Sequence, residues 1–164
     1  FWARTEIRRV GEAGYITGYD NLFFKPNNNV TRSQVAIILA RTLDLKPTGE
    51  SSDFNDVNKN FHAYDEVMAV ADAGLFNGNS SGNFNPNSPF TREHLAVVFS
   101  RAFNLPNATQ EAQFSDVSSD RSSYNSIQRL AASGITTGYE DGTFRPGNTT
   151  TRAQLAVFLD NALD

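Results

Sequence analysis

Three arginines, Arg32, Arg92 and Arg152, stand sixty residues apart, each after a threonine (Thr31, Thr91, Thr151) and before an apolar run. The pattern places each at the first turn of a helix, where the macrodipole disfavours a positive charge by a few tenths of a kcal/mol up to about 1. Three such placements imply something that offsets the cost. A helix start presents free N–H groups to anions, and a guanidinium beside them would complete a bidentate clamp for a carboxylate or phosphate. Gly18, Gly78 and Gly138 hold one register position ahead of these helices and would let a ligand approach the backbone. Tyr19, Tyr139 and Trp2 offer flat faces of the kind sugars stack on. An internal alternative stands beside this one. Each arginine can pair with a protein carboxylate such as Asp56 or Asp116, and one carboxylate can also orient an arginine for an outside anion.

Other chemistry finds little support. Asp20-Asn21 and Asp141-Gly142 share only a fragment of a calcium loop, whose full pattern is absent. His62 and His94 each occur in one unit without a ligand partner and read as surface residues. Asp65-Glu66 and Glu140-Asp141 are neighbouring acids, and nothing selects a pair across a cleft for glycoside hydrolysis. No nucleophile elbow, zinc-protease or phosphate-loop motif occurs. Asn29, Asn79, Asn107 and Asn148 open N-x-S/T triplets of the kind an Asn/Ser/Thr-rich chain produces by chance. No catalytic residue, metal or cofactor is expected.

The elements that position the arginines repeat with them. Phe24, Phe84 and Phe144 keep the sixty-residue register, as do Pro26, Pro86 and Pro146, and Gly14, Gly74 and Gly134. Such self-similarity means one structural unit used three times. Each unit reads as helix, loop, helix. The first helix has an apolar face at Ile7, Val10 and Ala13, repeated at Val67, Val70, Ala73 and at Ile127, Leu130, Ser133. Gly14, Gly74 and Gly134 follow as left-handed C-terminal residues. In the third unit Asp141-Gly142 favours a tight turn and Phe144 pins the loop; Leu22 replaces that glycine in the first unit, so a different turn is expected there. Thr31 with Gln34, and Thr151 with Gln154, spell a capping box. His94 breaks it in the middle unit. The second helices carry wide apolar stripes (Leu95, Ala96, Val98, Phe99, Ala102, Phe103) able to pack into a central bundle. Polar connectors Lys46–Ser52 and Pro106–Gln113 read as surface links. The expected organisation is repeats at 1–45, 54–105 and 114–164, together one trimodular domain sharing a core, since a sixty-residue module alone buries too little.

Net charge is −4 and the sequence pI about 5.1, a balance that argues against nucleic acid as the main partner. No apolar run approaches the roughly 20 residues that span a bilayer. Cysteine is absent, so there is neither disulfide nor thiolate site. The later units open with Phe54-Asn55-Asp56-Val57 and Phe114-Ser115-Asp116-Val117, whereas Phe1 aligns with Phe61. The natural chain is therefore expected to extend further at its N-terminus.

Taken together, Phe-x-Asp-Val, a helix, Gly-Ile-Thr-x-Gly-Tyr-x-Asp-Gly-Thr-Phe-x-Pro and Thr-Arg-Ala-Gln resemble the S-layer homology (SLH) repeat, over essentially the whole chain. The resemblance implies a mainly α fold, three helix-loop-helix repeats arranged as a pseudo-threefold, three-pronged spindle around a central helical bundle. It implies a secreted, non-enzymatic module of the bacterial cell envelope. That module would anchor surface-layer proteins or exoenzymes to a cell wall polysaccharide bearing pyruvylated N-acetylmannosamine. Arg32, Arg92 and Arg152 would line grooves between repeats, with Thr31, Thr91 and Thr151 as caps and hydrogen-bond partners. The motif's final acid is replaced by Gln34, His94 and Gln154, and Asn79 stands where the other loops have tyrosine. Unequal grooves are therefore expected, with one or two competent. Competing readings are a peptidoglycan-linked polymer of the Gram-negative type, or self-assembly with neighbouring surface-layer proteins.

Overall fold

The computed structural model describes all 164 residues. The chain is mainly helical: α1 (Arg4–Glu12), α2 (Arg32–Thr42), α3 (Tyr64–Asp72), α4 (Arg92–Ala102), α5 (Tyr124–Ala132) and α6 (Arg152–Leu163). There are no strands, only isolated bridges, Asn29 with Thr151, Thr31 with Pro89 and Thr91 with Thr149. Two compact units result, residues 30–90 and residues 1–29 with 91–164.

Within residues 30–90, α2 packs on α3. Val35, Leu39, Val67, Val70, Phe84 and Phe90 are fully buried there. The connector between these helices is pinned. The Asp72 carboxylate accepts the N–H groups of Thr48, Gly49 and Ser51 at 2.7, 3.0 and 2.7 Å.

In the other unit α4 packs on α5 and α1 on α6, around Leu95, Phe99, Ile127, Leu130, Phe144, Leu155 and Leu159. Here the Gln128 amide holds the connector, accepting from the Ala112 N–H at 2.7 Å and donating to its carbonyl at 2.9 Å. Arg9 pairs with the buried Asp160, tying α1 to α6.

The second helix of one repeat thus pairs with the first helix of the next, and the last helix with the first. Each narrow apolar face of α1, α3 and α5 is covered this way. That face is shorter than its sequence spacing implies. Ala13 and Ala73 are exposed, because they are the C-cap residues of their helices.

Helix ends follow the local chemistry. Gly14, Gly74 and Gly134 have φ of 76°, 72° and 72°. The residue after each donates to the carbonyl of Val10, Val70 or Leu130, closing a Schellman motif. Thr31 and Thr151 form complete capping boxes, while Thr91 accepts from the His94 N–H. The first-unit turn does not differ as its sequence implied. Leu22 takes φ 64°, beside 77° and 78° for Gly82 and Gly142, and Leu22 N–H bonds the Tyr19 carbonyl as its counterparts do. Surrounding loop contacts impose the turn on a residue that disfavours it.

Candidate functional site

The Thr-Arg helices are not open at their starts. The first two N–H groups of α2 donate to Ser88 and Pro86, those of α4 to Asn148 and Pro146, and those of α6 to Asn28 and Pro26. The third is taken by the capping threonine. Each capping proline belongs to the invariant register of the loop, so the expected N–H cradle for an anion is already filled by the chain. Any anion must be held by the guanidinium.

Each guanidinium reaches the carbonyl of a phenylalanine in the loop of another repeat. Arg32 Nε donates to Phe84 at 2.8 Å, Arg92 Nε to Phe144 at 2.7 Å and Arg152 Nε to Phe24 at 2.7 Å. The aspartates hold the other side of the same loops. Asp56 accepts the N–H groups of Phe84 and Asn85, both at 2.8 Å. Asp116 accepts those of Phe144 and Arg145 at 2.9 and 2.8 Å. Neither aspartate forms an ion pair with these arginines; both brace the loop that the arginine grips.

Arg92 and Arg152 are only 3% and 6% exposed, and Arg32 is half-buried. Burial lowers the pKa of all three from its ordinary value, yet an arginine stays charged at any physiological pH. The three differ in what compensates that charge. Arg32 Nη2 donates to the Asn77 carbonyl at 3.1 Å and Arg152 Nη2 to that of Thr17 at 2.7 Å. The counterpart carbonyl, Thr137, makes no such bond to Arg92, whose guanidinium has one hydrogen bond, the one to Phe144. Arg92 faces a groove of about 580 Å³ that includes Trp2, Gly138, Tyr139, Gln154 and Phe158.

The tyrosines sit beside cations. The Tyr139 centroid lies 4.9 Å from the Arg92 guanidinium and 3.7 Å from that of Arg145. Tyr19 lies 4.8 Å from Arg152 and 4.5 Å from the Lys25 ammonium. Both rings are engaged by cations, while Trp2, 65% exposed, is the open aromatic of the groove. Lys25 and Arg145 went unnoticed in the sequence because Asn85 interrupts their register. Gln154, besides capping α6, donates to the Tyr139 hydroxyl at 2.9 Å. Gly78 and Gly138 press against their loops: a Cβ would meet the Phe54 ring at 2.7 Å or the Phe114 ring at 2.5 Å, whereas on Gly18 it would make only ordinary contacts.

Paired helices, clasped loops and a Thr-Arg start repeated in register define a tandem-repeat module whose distinctive residues converge on loop–helix junctions. The family model of the S-layer homology domain matches residues 2–36, 53–96 and 113–156, and the chain belongs to that family as three tandem copies. It is 31% identical to an endoglucanase of Bacillus sp. (strain KSM-635) over 99% of its own length and 18% of that protein's. A surface-layer 125 kDa protein of Lysinibacillus sphaericus is 28% identical over 99% of the chain and 14% of its own length. A cellulosome-anchoring protein of Acetivibrio thermocellus is 30% identical over 93% and 36%. The chain therefore spans a minor part of each of these relatives. No helix is long and apolar enough to cross a membrane.

Proposed function

We propose that this chain is a non-catalytic anchoring module that holds its parent protein at the bacterial cell surface by gripping an acidic wall polysaccharide. The observation that carries the reading is Arg92: a guanidinium 3% exposed, with one carbonyl partner, at the wall of a groove. A buried charge left with so few partners favours an incoming anion. A carboxylate on a sugar suits it, since the sugar ring can lie on Trp2. Pyruvylated N-acetylmannosamine, the ligand implied by the family resemblance, has this form. The match to surface-layer and cellulosome-anchoring proteins supports the location. The absence of an enzymatic role is part of the same proposal.

Sedimentation with purified cell walls tests it. The chain should pellet with intact walls and stay in solution after pyruvate is stripped by mild acid. Equal pelleting with both would redirect the reading to a peptidoglycan-linked polymer. Concentration-dependent self-association without wall material would favour an assembly module instead.

A further inference from the structure

One peptide sets the Arg92 junction apart from both of its counterparts. Thr17, Asn77 and Thr137 share one register position, and so do Gly18, Gly78 and Gly138. Beyond them the three loops bond alike: Tyr19 to Phe23, Asn79 to Asn83 and Tyr139 to Thr143, at 3.0, 2.9 and 2.8 Å. Yet Gly138 has φ 74°, in the left-handed region, whereas Gly18 and Gly78 lie outside it. The peptide joining 137 and 138 is therefore turned over. Its N–H donates to the Thr136 hydroxyl at 3.1 Å. In a trans peptide N–H and C=O point opposite ways, so the Thr137 carbonyl is aimed away from the acceptor position that Thr17 and Asn77 fill for Arg152 and Arg32. Thr136 is 7% exposed, and its register partners, Ile16 and Phe76, have no side-chain acceptor.

We propose that the Thr136 hydroxyl is a positioning residue that makes the Arg92 groove the acid-binding one, by holding this peptide turned and so leaving Arg92 Nη atoms for a sugar carboxylate. The inference rests on the anchoring reading given above and names what selects among its three arginines. Where the hydroxyl is missing, the carbonyl turns in and takes the place of the ligand. Any of the three glycines permits either orientation; the neighbouring side chain decides.

Thr136→Val and Thr136→Ser test it in the whole chain. Gly138→Ala is unsuitable, since its Cβ would meet Phe114 Cε1 at 2.5 Å and the Thr143 carbonyl at 2.8 Å. A crystal structure of Thr136→Val should show Gly138 outside the left-handed region and the Thr137 carbonyl on Arg92. Its affinity for free pyruvylated N-acetylmannosamine, by isothermal titration calorimetry, should fall about 10-fold or more, the scale of one hydrogen bond to a charged group. Thr136→Ser should keep both the turned peptide and the affinity. A Thr136→Val structure with Gly138 still at positive φ overturns the proposal, as does a turned-in carbonyl with unchanged affinity, or a serine variant that behaves as valine. A wild-type chain that takes up no sugar at all, while Thr136→Val still turns the peptide, strikes the anchoring reading and with it the selection among grooves, but confirms the hydroxyl's hold on the peptide.

Discussion

The junctions at Arg152 and Arg92 are built from the same parts and end in different electrostatic states. Both guanidinia are buried, both donate through Nε to a loop phenylalanine carbonyl at 2.7 Å, and both sit within 5 Å of a tyrosine centroid. Arg152 has a second carbonyl at 2.7 Å; Arg92 has none. One peptide turned over converts an internally compensated cation into one with room for a partner. A repeat can thus keep its fold and change its chemistry without touching the motif residue itself.

The largest effect expected from this contrast concerns binding. Arg92→Ala should weaken uptake of pyruvylated N-acetylmannosamine about 10- to 100-fold, the range of a hydrogen bond to a charged group of about 1.5–3 kcal/mol. Arg32→Ala and Arg152→Ala should change it less than about threefold. Calorimetry on the three variants decides, and equal losses would erase the distinction between the junctions.

Stability should rank the other way. Arg152→Ala removes two bonds to backbone carbonyls and Arg92→Ala one, at about 1.5–3 kcal/mol for each bond to a charged group. The Arg152 variant should therefore unfold at lower urea concentration than the Arg92 variant. The reverse order would mean that Arg92 has a structural partner beyond Phe144.

A third contrast lies in the connectors. Asp72 holds one by its charge and Gln128 holds the other without charge. Burial alone would raise the Asp72 pKa, but four hydrogen bonds, from the Thr48, Gly49 and Ser51 N–H groups and the Ser51 hydroxyl, bring it down from 3.8 to about 2. Its folded value is below its unfolded one, so its stabilisation is present above the unfolded pKa and is lost as pH falls through about 2. Hydrogen exchange should show the amides of Thr48, Gly49 and Ser51 losing protection in that window while Ala112 keeps its own. Parallel loss at both connectors would exclude the carboxylate as cause.

The smallest effect is at the turns. Leu22 is 95% exposed at φ 64°, so Leu22→Gly sacrifices no packing and relieves a left-handed conformation that costs about 1–2 kcal/mol. Glycine returns part of that through chain entropy, roughly 0.5–1 kcal/mol. A modest rise in melting temperature is expected, and a fall would mean that Leu22 contacts stabilise the turn.

Much of this was legible in the sequence. The sixty-residue register gave the repeat, Gly14, Gly74 and Gly134 the helix ends, and Gln34 against His94 the unequal caps, because each depends on bonds made within a few residues. Which helix covers which face was not legible. Apolar spacing records that Val70 and Leu130 are buried, not that α2 and α4 bury them. The capping of helix starts by proline carbonyls was hidden for the same reason, since Pro86 lies more than fifty residues from the α2 start it serves. The open state of Arg92 escaped because it hangs on a hydroxyl at position 136, outside the motif. Comparing Ile16, Phe76 and Thr136 down the register was the one available clue.

The decisive measurement is the structure of a wild-type crystal soaked with pyruvylated N-acetylmannosamine. The sugar carboxylate should sit on the Nη atoms of Arg92, with the Thr137 carbonyl still turned away. A carboxylate seated at Arg32 or Arg152 with the Arg92 groove empty would contradict it.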